Sequence, residues 1–283
     1  MDKKDLNNFQ KEVISCDPRS PWSPTLKIFS DSKVSVYYAP FEYINPKAKV
    51  AICGITPGKT QASEALATAK AGLTSGLELS SIQREAKCAA SFKGFRKPMS
   101  RMLDLIGLNK TLDLKSCAEL FGSQEDLVHS TSAIRYPTVL ARGSDYNGSP
   151  KAANHPYLKN MLDTYLCEEV DTLGENCIWI PLGKGANEAL NYLVKKKALK
   201  DEQLISGLPH PSGANAESIA LLLENEYPCL DDYQNRMYQE YLKKQSWERR
   251  KNGKPQSEDK YKEIRKSRWE AMLAVRKKYG ITS

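Results

Sequence analysis

The stretch Val50–Lys59 has the sequence VAICGITPGK and decides the fold. Its apolar run, Val50–Cys53, predicts a buried strand, and the glycine- and proline-containing segment that follows predicts a tight loop. Open α/β sheets bind their ligands in the crevice beyond the carboxyl ends of parallel strands, and glycine lets a backbone approach a ligand closely. We therefore expect the loop Gly54–Gly58 to form one wall of a ligand site.

The same stretch also resembles a phosphate-binding loop, because Gly54–Thr60 has the pattern GxxxGKT. That motif requires four residues between its glycines, and three lie between Gly54 and Gly58. Pro57 lacks an N–H group, so a donor that would bind phosphate is missing. A nucleotide triphosphatase remains an alternative, and it predicts nucleotide hydrolysis that is lost on Lys59→Ala.

Further strand and helix patterns follow each other along most of the chain. This alternation across residues 34–226 predicts a parallel α/β sheet with helices on both faces. Alanine, glycine and serine dominate residues 61–90, which predicts a helical but loosely packed segment. The other expected strands span residues 34–38, 177–182 and 204–208, and residues 126–137 are expected to form a strand that runs into a loop.

The positive charge of the chain is concentrated at its C-terminal end. The formal net charge is +8, and residues 231–283 contain fifteen Lys and Arg against eight Asp and Glu. We expect an α/β domain over residues 1–230, with residues 1–33 as a packing segment, and a basic helical extension over residues 231–283. A basic segment is the electrostatic feature expected of a protein that binds a phosphate backbone.

The overall composition is ordinary for a globular protein, with 40% hydrophobic and 27% charged residues. Apolar runs of membrane-spanning length and a signal-peptide pattern are lacking in the sequence, which predicts a cytoplasmic protein without a membrane partner. The seven cysteines are scattered and form no CxxC pair, so the sequence predicts neither a disulfide framework nor a zinc site. We expect no metal, no cofactor and no obligate protein partner.

Two loops that follow predicted strands carry the most informative motifs. GITPG spans residues 54–58, and HPSGAN begins at His210 about 150 residues later. In this pairing the chain resembles the uracil-DNA glycosylase superfamily, as a divergent member similar to branches that act on modified bases in phage DNA. The resemblance covers roughly residues 34–226. It implies a three-layer α/β/α sandwich with a central, mostly parallel four-stranded sheet.

Other segments agree with this resemblance. The segment from Ser91 (SFKGFRKPMSRMLDLIGL) is similar to the family's Phe-x-Gly segment and helix, IPLGKGA to its Leu-Gly-Lys-x-Ala turn, and TSAIR to its pyrimidine-reading strand. The resemblance implies catalytic roles for His210 and Thr56. The implied base-binding residues are Phe92, Ser132, Gly54, Ile55 and Ser212, and the implied DNA-binding residues are Lys59, Gly213, Asn215, Lys184 and Tyr146.

These residue types fit base excision chemically. The enzyme must extrude the nucleotide, hold its base, and stabilise both a sugar cation and a leaving base anion. An aromatic side chain such as Phe92 can stack on the base, and His210 can donate a hydrogen bond beside it. The helix predicted to start at Asn215, as N-cap, would add a dipole that favours negative charge. His129 and His155 lack such a motif, and we expect them to have structural roles.

Two departures from the family pattern bear on the substrate. Thr56 stands where many members have an acidic or amide residue for the attacking water, and a threonine hydroxyl is a poor base. Glu42 and Asp145 are candidates to supply the missing carboxylate. Ser132 stands where the family has an asparagine, and serine cannot make the same bidentate contact with uracil. This change favours a bulkier modified pyrimidine, such as the hydroxymethylated or glucosylated cytosine of phage DNA, and so anti-phage defence.

Two further functions remain open at this point. One is a uracil or mismatch repair glycosylase. The other, from a different class, is a catalytically silent DNA-binding protein that uses the pocket as a base sensor, which the loss of an acidic residue at Thr56 would suit.

Overall fold

The computed structural model describes residues 4–91, 93–224, 226–248 and 257–281. Their contacts divide the chain into two compact units, the first comprising residues 1–96 and 118–208 and the second residues 97–117 and 209–283. The architecture is mixed α/β. The strands are β1 (Lys27–Ser30), β2 (Val34–Tyr37), β3 (Val50–Gly54), β4 (Val128–Ser132), β5 (Thr138–Leu140) and β6 (Ile178–Pro181).

The helices complete both units. Those that lie wholly in the first unit are α1 (Leu6–Ser15), α2 (Lys59–Thr74), α3 (Leu79–Ala89), α6 (Pro156–Met161), α7 (Cys167–Leu173) and α8 (Lys184–Lys195). The others are α4 (Arg96–Leu105), α5 (Leu108–Thr111), α9 (Ala216–Glu224), α10 (Leu230–Glu248) and α11 (Glu258–Lys278). Among the described residues, no helix is both long and apolar enough to cross a bilayer.

The sequence VAICG forms the central strand of a parallel sheet. All five residues of β3 are buried, as its uninterrupted apolar pattern predicts, and β3 pairs in parallel with β4 on one side and β6 on the other. A second, antiparallel sheet of three strands has the order β1-β2-β5. The predicted strand at residues 34–38 therefore exists but belongs to this second sheet.

The predicted four-stranded central sheet is wrong for the described part of the chain, because its parallel sheet has three strands. Residues 204–208 contribute one parallel bridge, from Leu204 to Trp179, and one hydrogen bond from Ile205 N to Trp179 O at 2.9 Å. The chain then leaves the sheet at Gly207, whose φ of +98° does not continue a strand. Pro209 follows and has no N–H group for a ladder.

The helices α2 and α3 pack tightly, so the predicted loose packing of residues 61–90 is wrong. Small residues on α2 allow this approach: a Cβ atom added at Gly72 would lie 2.7 Å from Cγ1 of Ile82. The side chain of Ile82 is fully buried against this site. Glycine at position 72 therefore allows α2 and α3 to pack closely, and it does not indicate mobility.

Candidate functional site

The carboxyl ends of β3 and β4 lie side by side at one edge of the parallel sheet. Gly54 pairs with Ser132 in the register of the two strands. The pairing continues into the loops, where Ala133 N donates to Gly54 O at 2.8 Å and Ile134 N donates to Ile55 O at 2.9 Å. The loop Gly54–Gly58 and the predicted base-reading Ser132 are thus held next to each other by backbone bonds.

The hydroxyl of Thr56 connects this loop to the backbone at the start of β5. It donates a hydrogen bond to Tyr136 O at 3.1 Å and accepts one from Thr138 N at 3.0 Å. Its proton is therefore engaged with the backbone just before β5 begins. The catalytic role implied for Thr56 stays a prediction, and the contacts of its hydroxyl give it a positioning role.

A small pocket, which we call the edge pocket, opens where these segments meet. Its volume is about 20 Å³. A larger cavity of about 100 Å³ shares the lining residues Lys87, Ser91 and Ser130 with it, so the two cavities are neighbours. The edge pocket is lined by Phe41, Pro57, Gln61, Lys87, Ala90, Ser91, Ser130, Thr131, Ser132 and Arg135.

A cluster of buried charged and polar side chains lies behind the edge pocket. We call Lys87, His129, Arg135 and Glu169 the buried ion cluster. Arg135 donates from Nε and Nη2 to Oε1 of Glu169 at 3.2 and 3.0 Å, and the Lys87 ammonium lies 3.9 Å from the same oxygen. Lys87 also donates to Tyr43 O at 2.7 Å. Two cations therefore share one carboxylate, and both cations line the edge pocket.

His129 is neutral in this cluster. Its Nδ1 accepts a hydrogen bond from Asn45 N at 3.3 Å, so the ring proton lies on Nε2, which donates to Oε2 of Glu169 at 3.1 Å. Burial, together with the charge of Lys87, lowers the pKa of His129 to about 4. The side chain thus has a structural role, as expected from its lack of a motif. His155, buried and bonded through Nε2 to Asp31 at 2.9 Å, also has one.

Glu42 is the most unusual acid of the first unit. Both of its carboxylate oxygens are buried, and neither has a hydrogen-bond partner among the described residues. Burial raises the pKa of Glu42 to about 7, although Arg135 and Lys87 lie near enough to oppose this shift. Burial likewise lowers the pKa of Lys87 to about 8. A carboxyl that titrates near neutral pH beside two cations can change the charge behind the edge pocket.

Several predicted site residues lie away from the edge pocket. The side chain of Ile55 points to Gly185, where an added Cβ would lie 3.1 Å from it. Tyr146 is buried, and its hydroxyl donates to Pro150 O at 2.5 Å; its DNA-binding role stays a prediction. Asp145 is exposed and bridges to Val139. Phe92 lies outside the described residues.

Two predicted DNA-binding lysines start helices. Lys59 is the first residue of α2, after the loop that follows β3, and Lys184 is the first residue of α8, after the loop that follows β6. Both side chains are exposed. Exposed cations at these helix starts are suited to contacts with phosphate, and the implied DNA-binding role stays a prediction.

The His210 loop of the second unit forms a compact turn. His210 Nδ1 accepts a hydrogen bond from Ser212 N at 3.2 Å, and Asn215 Nδ2 donates to Ser212 Oγ at 3.3 Å. Asn215 ends a short 3₁₀ turn, Gly213–Asn215, and directly precedes the first residue of α9, which is the position predicted for the N-cap. Burial lowers the pKa of His210, which keeps its ring neutral near pH 7.

Some of the positive charges of the basic extension are paired within the second unit. Arg265 and Arg268 of α11 both bond to the carboxylate of Glu217, and Arg276 donates from Nη1 to Leu222 O at 2.7 Å. These arginines join α11 to α9 within the second unit. Any binding of nucleic acid by the extension must therefore depend mainly on its other cations.

Sequence reasoning missed the charged members of the buried ion cluster. Lys87, Arg135 and Glu169 come from three distant segments, and no spacing rule connects them. The arginine in TSAIR gave a weak signal, because it follows the apolar residues Ala133 and Ile134, and a buried arginine requires a counterion. The described residues contain no group of three or more His, Cys, Asp or Glu side chains that could hold a metal ion.

Comparison with known proteins places the chain in a family. No protein-family model matches the sequence, and no solved structure matches it significantly. Over 203 residues the chain is 34% identical to "Uncharacterized protein YoxB" of Bacillus subtilis (strain 168), an alignment that covers 71% of this chain and 79% of that protein. Identity at this level over most of both chains shows common descent, and the protein therefore belongs to the same family as YoxB.

Proposed function

We propose that the protein is a monofunctional DNA glycosylase with a fold related to the uracil-DNA glycosylase superfamily. The observation that supports this best is the edge pocket, which lies where Gly54 and Ser132 end adjacent parallel strands. This is the position where α/β sheets bind ligands. The paired motifs GITPG and HPSGAN, on which the resemblance rests, agree with it.

The charges near the pocket fit the reaction. Breaking the bond between C1′ of deoxyribose and the base leaves the bonding electron pair on the base nitrogen, and water then adds to C1′ and loses a proton. Lys87 and Arg135 line the pocket and share the carboxylate of Glu169, so they can stabilise a base anion. When Glu42 is protonated, it no longer carries the negative charge that would repel the base anion. The resemblance to the family, rather than the contacts of the pocket, supports His210, neutral near pH 7, as the donor of a hydrogen bond to the leaving base.

The substrate we propose is a modified pyrimidine bulkier than uracil. Ser132 has a short side chain that offers a single hydroxyl, and the cavity of about 100 Å³ adjoins the edge pocket. A substituent on the pyrimidine could extend towards this polar space, whereas uracil would lack the bidentate partner that selects it.

A base-release assay tests this proposal. Purified protein would be incubated with duplexes that contain uracil, hydroxymethylcytosine or glucosylated hydroxymethylcytosine, released bases would be identified by mass spectrometry, and abasic sites would be cleaved with alkali. We expect release of a modified base and its loss in His210→Ala, with DNA affinity largely retained. Release of uracil alone would refute the modified substrate and favour a repair glycosylase.

Tight binding to a modified base without strand cleavage would instead favour the base sensor. One observation supports that second candidate: the proton of the Thr56 hydroxyl is donated to Tyr136 O, so it is not free to orient an attacking water molecule.

A further inference from the structure

A surface groove of the first unit lies beside the first residue of α2. We call it the Trp22 groove; its volume is about 480 Å³, which is within the range of small-ligand sites, roughly 300–1,000 Å³. It is lined by Asp17, residues 20–24 and Lys59. This lining differs in every residue from that of the edge pocket, so the groove is a separate space.

The groove adjoins the edge pocket across the end of the loop Gly54–Gly58. Pro57 lines the edge pocket, and Lys59 lines the Trp22 groove. Consecutive Cα atoms are about 3.8 Å apart, so the Cα atoms of these two residues lie within about 7.6 Å of each other. A strand that has one nucleotide in the edge pocket can therefore place a neighbouring nucleotide at the Trp22 groove.

Trp22 is the aromatic side chain of the groove, and the surrounding structure restricts its movement. Its ring packs against Tyr37, with the ring centroids 5.3 Å apart and an angle of 41° between the ring planes. Pro21 and Pro24 flank it in sequence, and the ring of proline fixes the backbone φ. The partly buried Trp22 side chain therefore loses little conformational freedom when a ligand stacks on it.

The charges of the groove favour an anionic ligand. Lys59 is exposed, and its ammonium has no acidic partner among the described residues. The acidic residue of the groove, Asp17, is paired with Arg19 at 3.2 Å, and this contact lowers the pKa of Asp17. The positive charge of Lys59 is thus available to a ligand.

An aromatic ring with a cation beside it matches the two parts of a nucleotide. Every nucleobase has a π face that stacks on an aromatic side chain, and the phosphate attracts a lysine ammonium. Proline-rich peptides also dock in grooves lined by aromatic residues. Such a peptide fits this groove less well, because it has no phosphate to contact Lys59.

We propose that the Trp22 groove binds one unpaired nucleotide of single-stranded DNA, which stacks its base on Trp22 and places its phosphate at Lys59. The inference rests on the proposed function, which supplies the strand and places the neighbouring nucleotide in the edge pocket. Stacking tolerates every base, so the groove adds affinity without selecting a sequence. Because an unpaired base is the least costly to extrude, the groove favours base release from single-stranded over duplex DNA.

Tryptophan fluorescence of the full chain tests the stacking. The probes are a short thymidylate strand and an abasic strand of the same length, which has the same phosphates and no bases. We expect the thymidylate strand to quench the fluorescence and the abasic strand to leave it unchanged. Trp22→Phe should abolish the quenching, whereas Trp269→Phe, which alters a buried tryptophan of the second unit, should retain it.

Binding affinity separates the contact with the base from the contact with the phosphate. Trp22→Ala should weaken binding of the thymidylate strand roughly tenfold and leave binding of the abasic strand unchanged, because only a base stacks. Lys59→Ala should weaken both and reduce the slope of log affinity against log salt by about 0.7, the value for one phosphate of a single strand. Leu77→Ala and Lys11→Ala, which alter an exposed apolar residue and an exposed cation elsewhere in the first unit, are the controls.

Three outcomes would overturn the proposal: no quenching at saturating thymidylate, equal losses of affinity for both strands in Trp22→Ala, or quenching by a proline-rich peptide instead of the thymidylate strand. Each of them is compatible with release of a modified base, so the glycosylase would stand without the groove. Quenching that depends on Trp22, without base release from any single strand or duplex, would refute the glycosylase and leave the groove as a site for single-stranded DNA.

Discussion

Arg135 and Glu169 form a two-point ionic hydrogen bond inside the first unit, with Nε and Nη2 of the arginine 3.2 and 3.0 Å from one carboxylate oxygen. The guanidinium also stacks over Tyr165, 4.7 Å from its ring centroid, and donates to its carbonyl at 3.2 Å. This pair joins the segment after β4 to α7. It thereby fixes one of the two cations that line the edge pocket.

Removing the charge of Glu169 should destabilise the protein strongly. Glu169→Gln leaves two buried cations without their anion, and breaking a buried ion pair costs about 3–5 kcal/mol. Glu168→Gln is a matched control, because Glu168 is 33% exposed and contacts Arg135 at 3.6 Å, which predicts a loss below about 1 kcal/mol. The free energy of unfolding in urea would measure both, and equal losses would contradict a structural role of the buried ion cluster.

Glu42 predicts a pH dependence of stability. Burial raises the pKa of Glu42 from 4.5 to about 7 in the folded state, because it disfavours the charged carboxylate. The contribution of Glu42 to the free energy of unfolding is therefore complete below pH 4.5 and is lost as the pH rises to 7. Glu42→Gln removes this pH-dependent loss. The free energy of unfolding of the variant should therefore exceed that of the wild type by an amount that grows between these pH values to at most about 3 kcal/mol. Urea unfolding at several pH values would measure it, with the exposed Glu85→Gln as control. An advantage that does not vary with pH would contradict the raised pKa.

Ser132 should determine how well uracil is selected, if the protein is a glycosylase. Ser132→Asn supplies an amide with both a donor and an acceptor, so we expect kcat/KM for uracil to rise at least about tenfold relative to a modified cytosine. Ser130→Asn adds the same group at a pocket-lining position two residues earlier in β4 and serves as control. If both variants leave the ratio of the two kcat/KM values unchanged, Ser132 does not contact the base.

Local patterns were sufficient to predict the parallel strands, because an uninterrupted apolar run such as Val50–Cys53 fits a strand that is buried on both faces. The prediction of a fourth strand was wrong because Gly207 and Pro209 interrupt the apolar segment that starts at Leu204, which forms a single bridge to the sheet. The DNA-binding role of Tyr146 came from the family resemblance, which does not report that its ring is buried.

The candidate site was predictable only in part. Motifs located the loop Gly54–Gly58 and Ser132, since Gly54 and Ser132 each end a strand. Lys87 and Glu169 could not be found in this way, because their contact joins segments more than 80 residues apart and depends on how helices pack. Glu42 was a candidate by its chemical type alone, and its unpaired, buried state is a property of the folded chain.

Close packing at Gly72 gives a prediction about α2. Gly72→Ala places a Cβ 2.7 Å from Ile82 Cγ1, and overpacking of this kind costs about 1–3 kcal/mol, more than the roughly 1 kcal/mol that alanine gains in helix propensity. A lower melting temperature is the expected result. Gly58→Ala is the control, because nothing lies within 4 Å of its added Cβ and its φ is −81°. A variant at Gly72 that is as stable as the wild type would show that Ile82 can move aside.

Glu217 should hold α11 to α9 within the second unit. Its carboxylate accepts hydrogen bonds from Arg265 Nε at 3.2 Å, from Arg268, and from the Tyr233 hydroxyl at 2.5 Å. These side chains are at most about a quarter exposed, so Glu217→Gln should cost about 1–3 kcal/mol and release α11.

Amide hydrogen exchange would report this release as lower protection in α11. Glu224→Gln is the control, because Glu224 and its partner Arg101 are both more than half exposed, and such pairs contribute little. If protection of α11 falls equally in both variants, the three bonds to Glu217 do not anchor the helix. If it falls in Glu217→Gln alone, Arg265 and Arg268 become free to bind phosphate, and the affinity for DNA should rise, most clearly at low salt, because released cations add to the electrostatic attraction.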